Sequence, residues 1–94
     1  MPQRHRLLVY ALSTCIWCKK TLKFLEDNKI VYEHIYVDKL TGTNREEAIS
    51  EIKKHNPACS FPTIIIDEHD VVVGHNESKL KELLGLWKIL TLFI

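Results

Sequence analysis

Three cysteines stand in the chain, and two of them, Cys15 and Cys18, are separated only by Ile16 and Trp17. Disulfide exchange needs an exposed thiolate to attack and a second thiol near enough to release the mixed disulfide that results. Three residues along a helix bring two side chains one turn apart, which meets both needs. At or just before the first turn, Cys15 would lie where unpaired backbone amides and the helix dipole stabilise negative charge, while Cys18 is carried a turn inward and shielded. Cys15 therefore reads as the attacking thiol and Cys18 as the resolving one. Such motifs lower the nucleophile's pKa from about 8.5 to between roughly 3.5 and 7.5. Lys19 and Lys20 either add to that effect or simply face solvent.

Two cysteines at this spacing are also half of a structural zinc site, which needs two further ligands. No second pair exists, and only Cys59 and His75 could be recruited if the fold brought them close. His5, His34, His55 and His69 form no visible cluster. A wholly structural, buried pair fits poorly at a strand-to-helix boundary, where side chains are exposed. Thiol exchange is the leading reading, with no metal site assigned.

The elements that position the pair can be read around it. Leu7 to Leu12 is a continuous apolar run of strand length, suited to the middle of a sheet covered on both faces. From Trp17 to about Asn28, Cys18, Leu22 and Leu25 fall at helical spacing, with Phe24 alongside and Lys19, Lys23, Glu26 and Asp27 on the other side. Ile30 to Val37 is rich in Val, Ile and Tyr and reads as a second strand, so strand, helix and strand form a right-handed parallel unit. Asp38 to Thr43 reads as a loop. Thr43 or Asn44 then caps a helix, with Glu46 or Glu47 three residues on, that ends before Pro57. Thr63–Ile66 and Val71–Val73, joined by the polar turn Asp67–Asp70, form a hairpin that Gly74 closes. Asn76 caps a last helix whose buried face is Leu80, Leu83, Leu84 and Trp87. The order β-α-β-α-β-β-α makes the fold class α/β.

With 94 residues the chain supports one domain, with a core over about residues 6–86 and an apolar tail over 87–94. The tail is expected to pack on its own core in a monomer, the alternative being a contact that forms a dimer. Thirteen basic residues against 12 acidic ones leave a charge of +1, which gives no reason to expect nucleic acid or an anionic membrane as the main partner. Three unevenly spaced cysteines do not make a disulfide framework. The apolar run after the basic start is too short for a signal-peptide core, and none approaches the roughly 20 residues of a membrane span. A reducing, cytoplasmic setting is the expectation.

Three motifs in order, Ser13-Thr14-Cys15-Ile16-Trp17-Cys18-Lys19-Lys20, Phe61-Pro62-Thr63 and Gly74-His75-Asn76, are those of the glutaredoxins, which the chain resembles from about Leu7 to Leu86. The resemblance implies the thioredoxin fold, a four-stranded mixed sheet flanked by three helices. It also implies a cis Pro62 facing the thiols and a Phe61 backbone that binds an extended thiol-bearing substrate. Thr14, Trp17, Lys19, Ser60, Phe61, Pro62, Gly74, His75 and Asn76 become the expected substrate-binding residues. Trp17 is expected to be an exposed contact for partner proteins, or else to pack on the tail. Where glutathione-using members commonly carry a lysine three residues before the first cysteine and a basic or polar residue before the cis proline, this chain has Leu12 and Cys59. The resemblance therefore extends to glutaredoxin-like hydrogen donors that feed ribonucleotide reductase. Their electrons come from a thioredoxin reductase or a ferredoxin-linked reductase, whereas other members use glutathione. No cofactor is required for exchange. Ile16 stands where a proline often follows the first cysteine, a departure that in some members accompanies a bridging [2Fe-2S] cluster between two subunits; a cluster or metal carrier using the same cysteines is the second reading. Cys59, three residues before Pro62, is either a third redox thiol or a partly buried bystander.

Overall fold

The computed structural model of the chain describes residues 5–84. Its elements are β1 (Leu7–Ala11), α1 (Ile16–Asp27), β2 (Glu33–Tyr36), a single 3-10 turn (Val37–Lys39), α2 (Gly42–His55), β3 (Thr63–Ile66), β4 (Asp70–Val73) and α3 (Glu77–Leu84). The expected order of strands and helices is present. The strands form one mixed sheet in the order β2-β1-β3-β4. β1 runs parallel to β2, with Tyr10 opposite Ile35, and antiparallel to β3, with Val9 opposite Ile64; β3 and β4 are antiparallel, with Ile64 opposite Val72.

The apolar runs of β1 and β3 follow from their central positions, because both faces of each strand are covered. Val9, Ala11, Ile64 and Ile66 pack into one core with Cys18, Leu22, Phe24 and Leu25 of α1 and Leu80 of α3. Tyr10 and Ile65, on the opposite face, pack with Ala48 and Ile52 of α2 and with Val37. α1 and α3 thus cover one face and α2 the other. This arrangement leaves the C-terminal end of β1 open, which is where the chain turns into α1.

Several boundaries differ from the sequence reading, β4 among them, which begins at Asp70 instead of Val71. β2 begins at Glu33 instead of Ile30, because α1 ends in a Schellman turn that uses up the intervening residues. Lys29 takes φ +58, its N–H bonds the Glu26 carbonyl at 3.0 Å, and the Ile30 N–H bonds the Leu25 carbonyl at 2.9 Å. Ile30 is buried beneath that turn, while Val37, expected to end the strand, is folded into the 3-10 turn. α2 begins at Gly42 after Thr41, one or two residues before Thr43 or Asn44, and Thr41 makes no side-chain cap bond, so the capping box does not form. Gly42 has φ +55, a left-handed conformation that glycine adopts without steric cost, and it swings the chain from the turn into the helix. β1 stops at Ala11, and the Leu12 carbonyl turns back to accept the Cys15 N–H at 3.1 Å. The predicted face of Leu80, Leu83 and Leu84 is buried or half-buried as expected; Trp87 and the tail lie outside the described residues. Among the described residues no helix is long and apolar enough to cross a membrane.

Candidate active site

Cys15 is the N-cap of α1, in extended conformation, and its carbonyl accepts the Lys19 N–H at 3.1 Å. Its sulfur accepts the Cys18 N–H at 3.2 Å, one of the amides that a helix start leaves unpaired. Cys15 is half-buried and Cys18 wholly buried, and both are free thiols. Burial pushes the Cys18 thiol up to about 12, and its hydrogen bond with Cys15 works in the same direction. One sulfur is therefore accessible beside a helix amide, and the second is a protonated thiol just behind it.

The loop that delivers Cys15 is anchored from a distance. Asp38, in the 3-10 turn, accepts the Ser13 N–H at 2.9 Å through one carboxylate oxygen and the Ser13 hydroxyl through the other. Those two bonds, led by the hydroxyl, hold the Asp38 carboxyl below its usual range. Asp38 is 25 residues from Ser13 in sequence, and no local pattern pointed to it.

The Phe61–Pro62 peptide is cis, as the resemblance implied. The loop before it is held by Asn56, which is 5% exposed and donates from Nδ2 to the Ser60 hydroxyl at 3.1 Å, the Ser60 carbonyl at 3.3 Å and Thr63 Oγ1 at 3.1 Å. Thr63 in turn donates to the Ser60 carbonyl at 2.7 Å. The Pro62 carbonyl accepts the Gly74 N–H at 2.8 Å, tying this loop to the start of the last segment. Phe61 borders both halves of the core. Cys59 takes φ +52 and, like Leu12, packs half-buried against the core on the α2 side, whereas Cys15 borders the α1 side.

The third motif also supplies contacts. Asn76 accepts the Lys79 N–H through its side chain at 3.0 Å and the Leu80 N–H through its carbonyl at 3.1 Å, capping α3 as expected. His75 reaches across to α1 and bonds the hydroxyl of Thr21, a fully buried residue, at 2.8 Å. A shallow cleft of about 240 Å³ lies here, walled by Lys20, Lys23, Phe24, Asp27, His75 and Glu77. Thr14, Ile16, Trp17, Lys19 and Ser60 are exposed. Thr21 was missed in the sequence, yet it stands three residues after Cys18 and four before Leu25 on the buried face of α1, where a polar residue is unusual enough to mark it. Asn56, directly before Pro57, carried no such signal.

Among the described residues no group of three or more His, Cys, Asp or Glu side chains is placed to hold a metal ion. The zinc arrangement is not assembled: His75 bonds Thr21 and Glu77, and Cys59 borders the opposite side of the core.

Comparison with known proteins agrees with this geometry. The glutaredoxin family model matches residues 7–71. Glutaredoxin 1 of Rickettsia prowazekii is 34% identical over 67 residues, covering 71% of this chain and 67% of that protein. The chain spans between 59% and 67% of the lengths of the Rickettsia glutaredoxins it matches. A glutaredoxin crystal structure from Methanosarcina mazei superposes with a TM-score of 0.81 at 45% identity, covering 85% of this chain and 78% of that one. Methanoredoxin from Methanosarcina acetivorans gives 0.82 at 40%, with 85% and 84% covered. With a thioredoxin-like sheet, a Cys15–Cys18 pair at the start of α1 and this breadth of similarity, the chain belongs to the glutaredoxin family.

Proposed function

We propose that the chain is a dithiol oxidoreductase that reduces protein disulfides. The observation that carries this reading is the asymmetry of the pair: an accessible Cys15 sulfur that accepts an amide N–H, in front of a buried Cys18 thiol pushed up to about 12. The Cys15 thiolate attacks one sulfur of the substrate disulfide, and the other leaves as a thiolate. Part of what holds the proton on Cys18 is its interaction with Cys15. Once Cys15 is bound in the mixed disulfide its negative charge is gone, and that part of the restraint goes with it. Cys18 then gives its proton to the departing thiolate and attacks the Cys15 sulfur. The second substrate sulfur leaves reduced, and a Cys15–Cys18 disulfide holds the oxidation that the substrate lost.

Substrate fit follows from the surroundings. Ile16 and Trp17 are 63% and 54% exposed, giving the pair an apolar flank for a folded or extended polypeptide. No hydrogen bond ties the Phe61 backbone to the described residues, so its amide and carbonyl can pair with an extended segment beside the cysteines. For the return of electrons we favour a reductase protein over glutathione. The tripeptide is an anion, and Leu12 and Cys59, half-buried against the core, offer its carboxylates no charge.

The test is trapping. Cys18→Ser incubated with a disulfide-bonded protein should accumulate a covalent mixed disulfide through Cys15, visible by mass spectrometry. Adduct formation through Cys59, or none at all, would overturn the assignment. Turnover of the oxidised chain should then be compared with glutathione and its reductase, a thioredoxin reductase and a ferredoxin-dependent reductase. Efficient turnover by glutathione alone would overturn the preference for a protein donor.

A further inference from the structure

His75 is held more firmly than a surface histidine needs to be. Its side chain is 13% exposed, and both ring nitrogens have partners: Nδ1 is 2.8 Å from Thr21 Oγ1, and Nε2 is 3.1 Å from a Glu77 carboxylate oxygen. A carboxylate only accepts, so Nε2 carries the proton towards Glu77, and in the neutral ring the Thr21 hydroxyl donates to Nδ1. With its edges so fixed, the imidazole lies against the indole of Trp17, the ring centroids 6.1 Å apart and the planes 27° from parallel. Helical spacing makes this possible. Thr21 is four residues after Trp17, so the two share one side of α1, and one ring can bond the first while stacking on the second. The Lys20 ammonium, three residues after Trp17, lies 4.5 Å from the same indole.

Trp17 thus presents a restrained ring although it is 54% exposed and sits between the two thiols. An exposed side chain that is already ordered loses less conformational freedom when a partner docks on it. We propose that His75 is a positioning residue for substrate recognition: anchored to Thr21 and Glu77, it fixes the Trp17 indole as the docking surface for a disulfide-bearing protein. The proposal rests on the oxidoreductase reading above and adds to it a residue that sets affinity for proteins without entering the exchange itself.

The experiment measures initial rates of insulin reduction driven by dithiothreitol, alongside the rate of the pre-reduced chain with the small disulfide 2-hydroxyethyl disulfide. His75→Ala should raise KM for insulin about five-fold, the scale of one lost aromatic contact, a larger change than any it makes in kcat or in the small-disulfide rate. His75→Phe, which keeps a ring against the indole, should recover most of the affinity. His75→Gln, which keeps an amide against Thr21 but no ring, should not. If His75→Ala fails to fold, the Phe and Gln variants carry the comparison. In a Trp87→Phe background, acrylamide should quench Trp17 fluorescence more strongly in the Ala and Gln variants than with His75 present. An unchanged KM, or a parallel fall in both insulin and small-disulfide rates, would overturn the proposal while the oxidoreductase reading stands. A chain with His75 intact that reduces neither disulfide would overturn that reading, and the proposal with it.

Discussion

The two ends of the sheet are built with similar clamps and do different things. At the C-terminal end of β1, Asp38 grips Ser13 and so holds the loop that delivers Cys15. At the other end, Asp67 grips the chain entering β1: it accepts the Arg6 N–H at 2.9 Å, lies 2.6 Å from His5 Nδ1, and donates its own N–H to the Arg6 carbonyl at 2.9 Å. The bond to His5, then that from Arg6, holds the Asp67 carboxyl below its usual range. The larger cavity, about 680 Å³, is at this second end, lined by groups that include Arg6, Tyr10, Glu51 and His55. No cysteine borders it. The site is thus marked by sulfur at a helix start and not by the volume of a hollow, and of the two aspartate clamps Asp38 is the one that holds a loop leading into the cysteine pair.

That contrast can be broken at both ends. The largest effect is expected from Cys15→Ser, which should abolish insulin reduction outright, since no second accessible thiol stands at the helix start; substantial residual turnover would reassign the nucleophile. Next, Ile52→Ala removes a fully buried side chain beneath α2 and should cost about 2–5 kcal/mol in urea denaturation. The same variant should retain its rate per folded molecule, because Ile52 lies on the face opposite α1 and Cys18. Asp38→Ala should slow insulin reduction several-fold and lower the urea midpoint slightly at pH 7. The folded Asp38 carboxyl is depressed, so its contribution is present above the ordinary carboxylate range and is lost as pH falls through the lowered value. Wild-type activity lost between pH 7 and pH 5 would have to come from another group. The smallest effect on rate is expected from Asp67→Ala. Its sign is the same as that of Asp38, so the variant should be somewhat less stable than wild type at pH 7, with the difference shrinking towards pH 3, while insulin reduction is unchanged. A change in rate from Asp67→Ala would erase the distinction between the two ends.

The legible parts of the sequence were those with local causes. Alternate-face burial made the β1 and β3 runs continuous, helical spacing marked α1, and a side-chain cap marked Asn76. The thiol pair announced itself by spacing. What was not legible depended on contacts across the fold or on backbone geometry. Lys29 adopts a left-handed conformation usually left to glycine, so the residues after it read as strand when they are helix terminus. Asp38 and Asn56 look like ordinary loop residues until folding brings Ser13 to one and Ser60 and Thr63 to the other. His75 was placed at the site by the order of its motif, but its grip on Thr21 spans 54 residues and has no periodic trace.

The central pairing of β1 with β3 has a consequence for synthesis of the chain. All three cysteines precede residue 60, yet the core that encloses Cys18 includes Ile64, Ile66, Val72 and Leu80. A growing polypeptide emerges from its N-terminus, so β1, α1 and β2 are available before the strands and helix that complete that enclosure. During this interval Cys18 has lost neither its contact with water nor its access to Cys59, and the burial that separates these two thiols arrives only with the last third of the chain. A newly made molecule is accordingly most open to mispaired sulfurs before it can act on those of others.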